Sequence, residues 1–467
     1  MIDSLPDDLR AGFTEDDAAA WEAIEAQGWA ELRTAEATAA SVNGTRPPQD
    51  QPPPLDADNI WDQRPSLAHI RDAALAGRAS AAAVLGAVLA RVIAATPPTV
   101  VLPDLVGGEG SLNLFVAMVG KSGEGKGTAE AIARRIIPDT GAFIEAGVGS
   151  GEGLTHLYAR RQRNGEIDQH TNAALINVSE IDTLTALGDR RGATLLPELR
   201  KAWSGEPLGF AYADPTKRLL LRAHTYRLAL IAGVQPGRGG TLLGDTDGGT
   251  PQRFLWLPVY DLNAPRELPP PPEPWEWKPP AWSPHHRQIM GVCDTARQEI
   301  DYDRWLRIRR QAPEDLDAHA LLARLKVAAA LAILDGRHAI TDDDWQIAAA
   351  VMMISAHTRA GIAAALRRAA SQRNRERGVM EAERAVVVAE KTDDAATRRV
   401  CRTITRKLAD AGSDGMSRSE LRRAIAARDR EHLDEALDRL AAAGEIGADA
   451  AGGGQAGQRY RLTRAAG

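Results

Sequence analysis

The run Leu114-Phe115-Val116-Ala117-Met118-Val119 leads directly into Gly120-Lys121-Ser122-Gly123-Glu124-Gly125-Lys126-Gly127-Thr128. An apolar stretch of this length, bounded by a turn signal, reads as a buried strand. The glycines after it let the backbone curl so that consecutive N–H groups face one point, and a helix beginning near Thr128 adds its own free N–H groups and the positive end of its dipole. Strand, glycine loop, lysine and helix in this order read as a phosphate-binding loop, with Gly120 to Thr128 around the phosphates and Lys126 adding a full positive charge at the β and γ positions. The usual pattern has Ser or Thr directly after the lysine to ligate magnesium. Here Gly127 stands there, and the role passes to Thr128 or to a water.

Outward from this loop, short apolar segments alternate with helical ones between residues 111 and 260: Leu112–Val119, Ala173–Val178, Tyr226–Val234 and Phe254–Val259. That succession predicts an α/β fold with a mostly parallel sheet. The second segment ends in Ser179-Glu180. A carboxylate at such a strand tip holds magnesium through water and orients the attacking water as general base. Glu180 takes this role, with Ser179 where an aspartate is usual and Asp182 as a further metal-side acid. The third segment ends at Gln235-Pro236, a polar side chain placed to touch a γ-phosphate or its water. Gly248-Gly249-Thr250-Pro251-Gln252-Arg253 sets one arginine after a flexible turn. Arg253 suits either transition-state charge in a neighbouring subunit or a surface salt bridge.

The whole chain has 467 residues, 57 Lys and Arg against 63 Asp and Glu, a net charge of −6, and is 44% hydrophobic and 26% charged. Those values fit a globular protein of several domains and exclude wholesale disorder and a histone-like basic character. Cys293 and Cys401 are too far apart in sequence for a disulfide framework or a paired thiolate zinc site, which fits a reducing, cytoplasmic setting. The acidic start Met1-Ile2-Asp3-Ser4-Leu5-Pro6-Asp7-Asp8 is unlike a signal peptide. The apolar stretch Ala81–Ala95 is short and broken by Arg91, so no membrane association is expected.

The expected organisation is a helical N-terminal region with a Pro-rich linker over 1–98, the α/β core over 99–268, and a Pro- and Trp-rich linker over 269–284. A helical lid-like subdomain follows over 285–390, and a winged helix over 391–467. In the first of these, Trp21, Ile24, Trp29 and Leu32 fall at helical spacing. The charged stretch Arg367–Arg384 reads as a solvated connecting helix or as a nucleic-acid patch. Residues 396–467 hold 14 Lys and Arg against 10 Asp and Glu, opposite in sign to the chain as a whole. Within them Arg418, Arg422, Arg423, Arg428, Arg459 and Arg461 are placed to meet DNA phosphates. The helix Arg430–Ala443 carries Glu431, Asp434, Glu435 and Asp438, which argue against its reading a major groove. Protein docking remains a second use for such a domain. The glycine-rich Gly147–Gly153 lacks a lysine and reads as a strand-to-helix turn.

Five segments together carry a resemblance: Ser111–Val119 with its loop, Ser179-Glu180, Trp203-Ser204-Gly205-Glu206-Pro207, Ala232-Gly233-Val234-Gln235-Pro236 and Gln252-Arg253-Phe254-Leu255. Over roughly residues 60–360 the chain resembles the helicase-like P-loop ATPase domain of phage, plasmid and integrated-element replication proteins. The resemblance implies an AAA+-like or RecA-like ATPase that binds ATP and Mg2+ and acts on DNA, single-stranded in the first instance. It implies a homo-oligomeric ring, hexameric by analogy, and a primase or polymerase on a separate chain. Lys126 and Glu180 then serve catalysis, Gln235 is the sensor, Arg253 is the finger in trans, and Arg324 in a lid helix is a second sensor near the nucleotide. The Gly-Lys-Gly-Thr ending resembles the loop of adenylate kinases as well, which leaves a nucleoside monophosphate kinase as an alternative. The absent Walker B aspartate leaves another, a nucleotide-gated DNA-binding regulator without turnover.

Overall fold

A computed structural model describes residues 57–147, 149–180, 194–210, 219–244, 249–283, 285–312, 319–449 and 458–463. The expected helix around Trp21 to Leu32 and the acid Asp182 lie outside the described residues. The chain divides into two compact units, Met1–Arg367 and Arg368–Gly467.

The larger unit is mixed α/β and is built on five strands, β1 (Leu114–Val119), β2 (Ile144–Ala146), β3 (Ala173–Val178), β4 (Arg227–Val234) and β5 (Phe254–Pro258), in the spatial order β5-β1-β4-β3-β2. Every neighbouring pair in it is parallel. All six residues of β1 and all eight of β4 are buried, as continuous apolar strands covered on both faces must be. Alternation along β1 sends Leu114, Val116 and Met118 into one core and Phe115, Ala117 and Val119 into the other. Register decides where the strand tips fall. Val119 pairs with Val234 and Val178 with Ala232, so the carboxyl ends of β1, β4 and β3 finish side by side.

Two helices, α1 (Pro65–Ala76) and α2 (Ala81–Ala94), cover one face. The sequence places them in a lead-in ahead of the α/β layer; in the structure they are part of that layer. Their small alanine side chains are what let a helix lie close on a sheet. At Gly86 a Cβ would come 2.5 Å from Leu257 Cδ1 and 2.9 Å from Val116 Cγ1, so only glycine lets α2 settle there. Two more helices, α3 (Lys126–Ile136) and α4 (Leu195–Ser204), follow the loop after β1 and precede β4 respectively. The tryptophans Trp275, Trp277 and Trp282 of the expected linker lie partly buried against the same core.

Helix α5 (Ala320–Leu334) is buried along most of its length, and α6 (Asp342–Ala411) follows after a short turn. The start of α6 is capped as its sequence suggests. The Thr341 N–H donates to Asp344 Oδ2 at 2.8 Å, and the Asp344 N–H donates to Thr341 Oγ1 at 3.4 Å. Among the described residues α6 is the one helix long and apolar enough to cross a membrane by length and composition, and its Trp345, Ile347, Ala348, Ala350 and Val351 are buried in the core.

Asp344 ties three elements together. Its fully buried carboxylate accepts from Arg64 just before α1 at 2.5 Å, and from Arg337 between α5 and α6 at 2.5 and 2.8 Å. Burial alone would raise its pKa, but the hydrogen bonds from Arg337, Thr341 and Arg64 outweigh that and hold it below the ordinary aspartate value. A carboxylate held low stabilises the fold above its unfolded-state pKa, and the contribution is lost as pH falls through the lower, folded-state value. Asp344→Ala is therefore expected to cost about 3 kcal/mol, because it removes a buried carboxylate that two arginines share and leaves both leaning on Asp335. Urea unfolding at pH 7 and at pH 3 checks this: the gap between variant and wild type shrinks at the acid end.

The smaller unit gathers the carboxyl-terminal part of α6, the helices α7 (Arg418–Ala424) and α8 (Leu433–Ala442), and three short antiparallel strands. These strands are β6 (Met416–Ser417), β7 (Ile446–Asp449) and β8 (Arg459–Leu462), with β8 in the middle. Val400, Ile404, Leu408, Leu421, Leu433, Leu437 and Ile446 form its core. Ser417 and Glu420 cap α7 reciprocally. The expected helix Arg430–Ala443 begins instead at Leu433, after a 3-10 turn over Ala427–His432.

Candidate functional site

The end of β1 turns at Gly120, whose N–H donates to Val234 O at 2.9 Å. A Cβ there would lie 2.0 Å from Val259 Cγ2 and 2.8 Å from Glu124 Oε2, so the loop can leave the sheet at this point only through glycine. Gly123 and Gly125 follow with φ of 84° and 94°, in the left-handed region. Glu124 fastens the turn by accepting from the Lys121 N–H at 2.5 Å. Gly125 is the residue before α3 and offers no side-chain cap, and the first turn of α3 holds no acid. A Cβ at Gly123, Gly125 or Gly127 would meet nothing within 4 Å, and Lys121, Ser122 and Thr128 are exposed. The loop thus presents open backbone N–H groups and an uncapped helix start.

Lys126 crosses this loop from the first turn of α3. Its Nζ donates to Gly120 O and Lys121 O, both at 2.7 Å. Partial burial pushes its pKa down, and the charges of Glu124 and Glu180 act against that shift. Its stem runs past Gly233 on β4, where a Cβ would come 2.3 Å from Ser179 O and 3.2 Å from Lys126 Cδ. The missing side chain at Gly233 is what lets the tip of β3 and the lysine stem close on each other.

Beyond Ser179, the Glu180 carboxylate accepts from Gln235 Nε2 at 3.1 Å and stands 4.0 Å from the Arg238 guanidinium. Arg238 reaches back because the Arg238 and Gly239 N–H groups both donate to Gln235 O, at 2.9 and 3.0 Å, which folds the segment after β4 into a tight turn. Sequence reading passes over Arg238; its signal is the Pro236-Gly237-Arg238-Gly239-Gly240 setting of a cation in a turn. Glu180 and Arg238 are about half exposed, at 48% and 58% of their side-chain surface. Loop, lysine, acid and amide therefore meet at the carboxyl edge of β1, β4 and β3, where open parallel sheets bind their ligands.

Arg324, expected near the nucleotide, is held elsewhere, and Arg253, expected to serve a neighbouring subunit, lies away from the loop. Arg253 precedes β5, and because Phe254 pairs with Phe115 and Pro258 with Val119, it lies at the amino edge, remote from the loop. Its NH1 donates to Gly249 O at 2.6 Å, and its guanidinium sits 5.6 Å from the Trp203 ring centroid. Arg324 lies 3.7 Å over the Trp345 ring, donates to Trp345 O at 3.1 Å and to Glu299 at 2.8 Å, and has its pKa lowered by burial. These partners fix it within the helical part of the unit. The amino edge also holds a cavity of about 590 Å³, lined among others by Ser111, Glu206, His224 and Lys326 and by no residue of the 120–128 loop.

The six arginines expected on DNA all lie in the smaller unit. Arg418 makes a two-point pair with Asp434 at 2.8 and 2.6 Å, Arg461 pairs with Asp449, and Arg459 lies 3.7 Å from Glu420 while donating to Asp414 O and Gly415 O. Arg428 stands 3.9 Å from Asp429, and Arg422 and Arg423 are exposed. No family model and no curated protein matches the chain.

Proposed function

We propose that the chain is a P-loop ATPase of the helicase-like kind, a motor or loader that works on DNA in the replication of a phage or other mobile element, carrying a C-terminal winged helix. One observation carries this reading: Lys126, Glu180 and Gln235 converge beside the open loop at the carboxyl ends of three adjacent parallel strands. The N–H groups of residues 122, 123 and 125–128 receive the phosphates, and Lys126 exchanges the Gly120 and Lys121 carbonyls for phosphate oxygens. Glu180, steadied by Gln235 and Arg238, accepts the proton of the attacking water.

The donor set suits a hard cation, since the exposed Thr128 hydroxyl and the Glu180 carboxylate both offer oxygen. Magnesium bound there neutralises charge on the transferring phosphoryl group. A ring assembly with Arg253 serving a neighbouring subunit, and a primase on another chain, belong to the same reading. In it Arg253 gives up Gly249 O to reach across.

Steady-state ATP hydrolysis with and without single-stranded DNA tests the proposal, and DNA-stimulated release of phosphate is the expected result. ATP binding with no turnover under any condition overturns the motor in favour of a nucleotide-gated regulator. Phosphate transfer to a nucleoside monophosphate overturns it in favour of a kinase.

A further inference from the structure

We infer that a groove between the carboxyl-terminal part of α6 and α8, within the smaller unit, grips one phosphodiester backbone of duplex DNA, with Arg402 and Arg406 as the principal contacts. The inference rests on the nucleic-acid half of the proposed function and needs none of its ATP chemistry. The groove encloses about 780 Å³, and its lining includes Arg398, Arg402, Arg406 and Arg439 against a single carboxylate, Glu445. Arg398, Arg402 and Arg406 recur every four residues and so share one helix face, rising ~6 Å per step at 1.5 Å per residue. The ladder covers ~12 Å, comparable with the rise along the duplex axis of three to four phosphates of one strand at ~3.4 Å each.

What separates this groove from the rest of the unit is how its arginines are engaged. Arg399 is paired with Asp429 at 3.1 Å, Arg418 with Asp434 at 2.6 Å, and Arg461 with Asp449. Each of those guanidinium groups must surrender a carboxylate before it can take a phosphate. Arg402 and Arg406 are exposed and pair with no carboxylate among the described residues. Beside them Asp394 holds both Arg398 and Arg439 at 2.6 Å, which fixes the positions of these two cations. No aromatic side chain lines the groove, so it lacks the stacking platform that single strands use. A basic ladder with two unpaired rungs, Arg402 and Arg406, and no stacking fits the regular phosphate ridge of a duplex and reads no base edges.

The test is fluorescence anisotropy of a labelled 20-base-pair duplex of arbitrary sequence, titrated with the full chain at several salt concentrations and without nucleotide. Arg402→Ala/Arg406→Ala is expected to weaken binding tenfold or more and to flatten the log K against log salt slope by about two. Arg399→Ala/Lys407→Ala removes the same charge from the same helix, where both cations already face acids, and is expected to stay within about threefold of wild type. Arg402→Gln/Arg406→Gln repeats the loss with longer side chains, and thermal unfolding confirms that each variant is folded. The inference is overturned if the groove variants bind like wild type, if the Arg399/Lys407 variant loses as much, or if wild type binds no duplex at low salt. It is equally overturned if the groove variants lose only single-stranded DNA. Absence of ATP turnover with duplex binding intact would sink the motor and leave the groove standing.

Discussion

Glu180→Gln is expected to bind ATP as wild type does and to hydrolyse it about 10²–10⁴-fold more slowly, the range a positioned general base contributes. The amide fills the same volume and can still hydrogen-bond Gln235 across the 3.1 Å now spanned, so the loop and its lysine stay in place. What it lacks is a lone pair basic enough to take a proton from water. Lys126→Ala gives the contrasting result, because it removes the cation that neutralises the phosphates and should lose nucleotide affinity as well as rate. Equilibrium titration with a fluorescent ATP analogue, together with single-turnover hydrolysis, separates the two outcomes. Wild-type turnover in Glu180→Gln would mean that the base is another group, and the assignment of Glu180 would fall.

Sequence and structure agree best where the signal is local. Six apolar residues, a glycine loop and a lysine form one continuous segment, and β1, the turn at Gly120 and the start of α3 follow its reading almost residue for residue. Glu180 and Gln235 were legible as polar tips of apolar strands, but their meeting is a property of sheet order. β4 enters between β1 and β3, and no periodicity in the text says which strand does so. Arg253 and Arg324 show the opposite case. A lone arginine beside a glycine turn or on a helix has no local signature of its use. Its place is decided by partners outside its own turn, Trp203 beside the local Gly249 O for the first, Glu299 and Trp345 for the second. The same holds for α1 and α2, which read as a helical region ahead of the core until Gly86 is seen lying against Val116 and Leu257.

Gly233→Ala is expected to cost about 2 kcal/mol of stability and about 10²-fold in hydrolysis, although it adds one methyl group and no charge. The added carbon would stand 2.3 Å from Ser179 O, and a backbone carbonyl one residue past the paired Val178 swings aside less freely than a flexible side chain does. Relief therefore has to come from β3 and β4 parting at their carboxyl ends, and overpacking of that kind costs ~1–3 kcal/mol. The same displacement moves Ser179, and with it Glu180, away from Gln235, while the contact to Lys126 Cδ at 3.2 Å turns the lysine off its path. Displacing a catalytic group by ~1 Å is enough for a loss of ~10²-fold. Urea unfolding and single-turnover hydrolysis of Gly233→Ala, set beside Gly378→Ala where a Cβ meets nothing within 4 Å, give the comparison. Reduced stability with undiminished hydrolysis would show that the closeness of β3 and β4 serves packing alone, and that Glu180 is positioned by the turn carrying Arg238 rather than by the sheet.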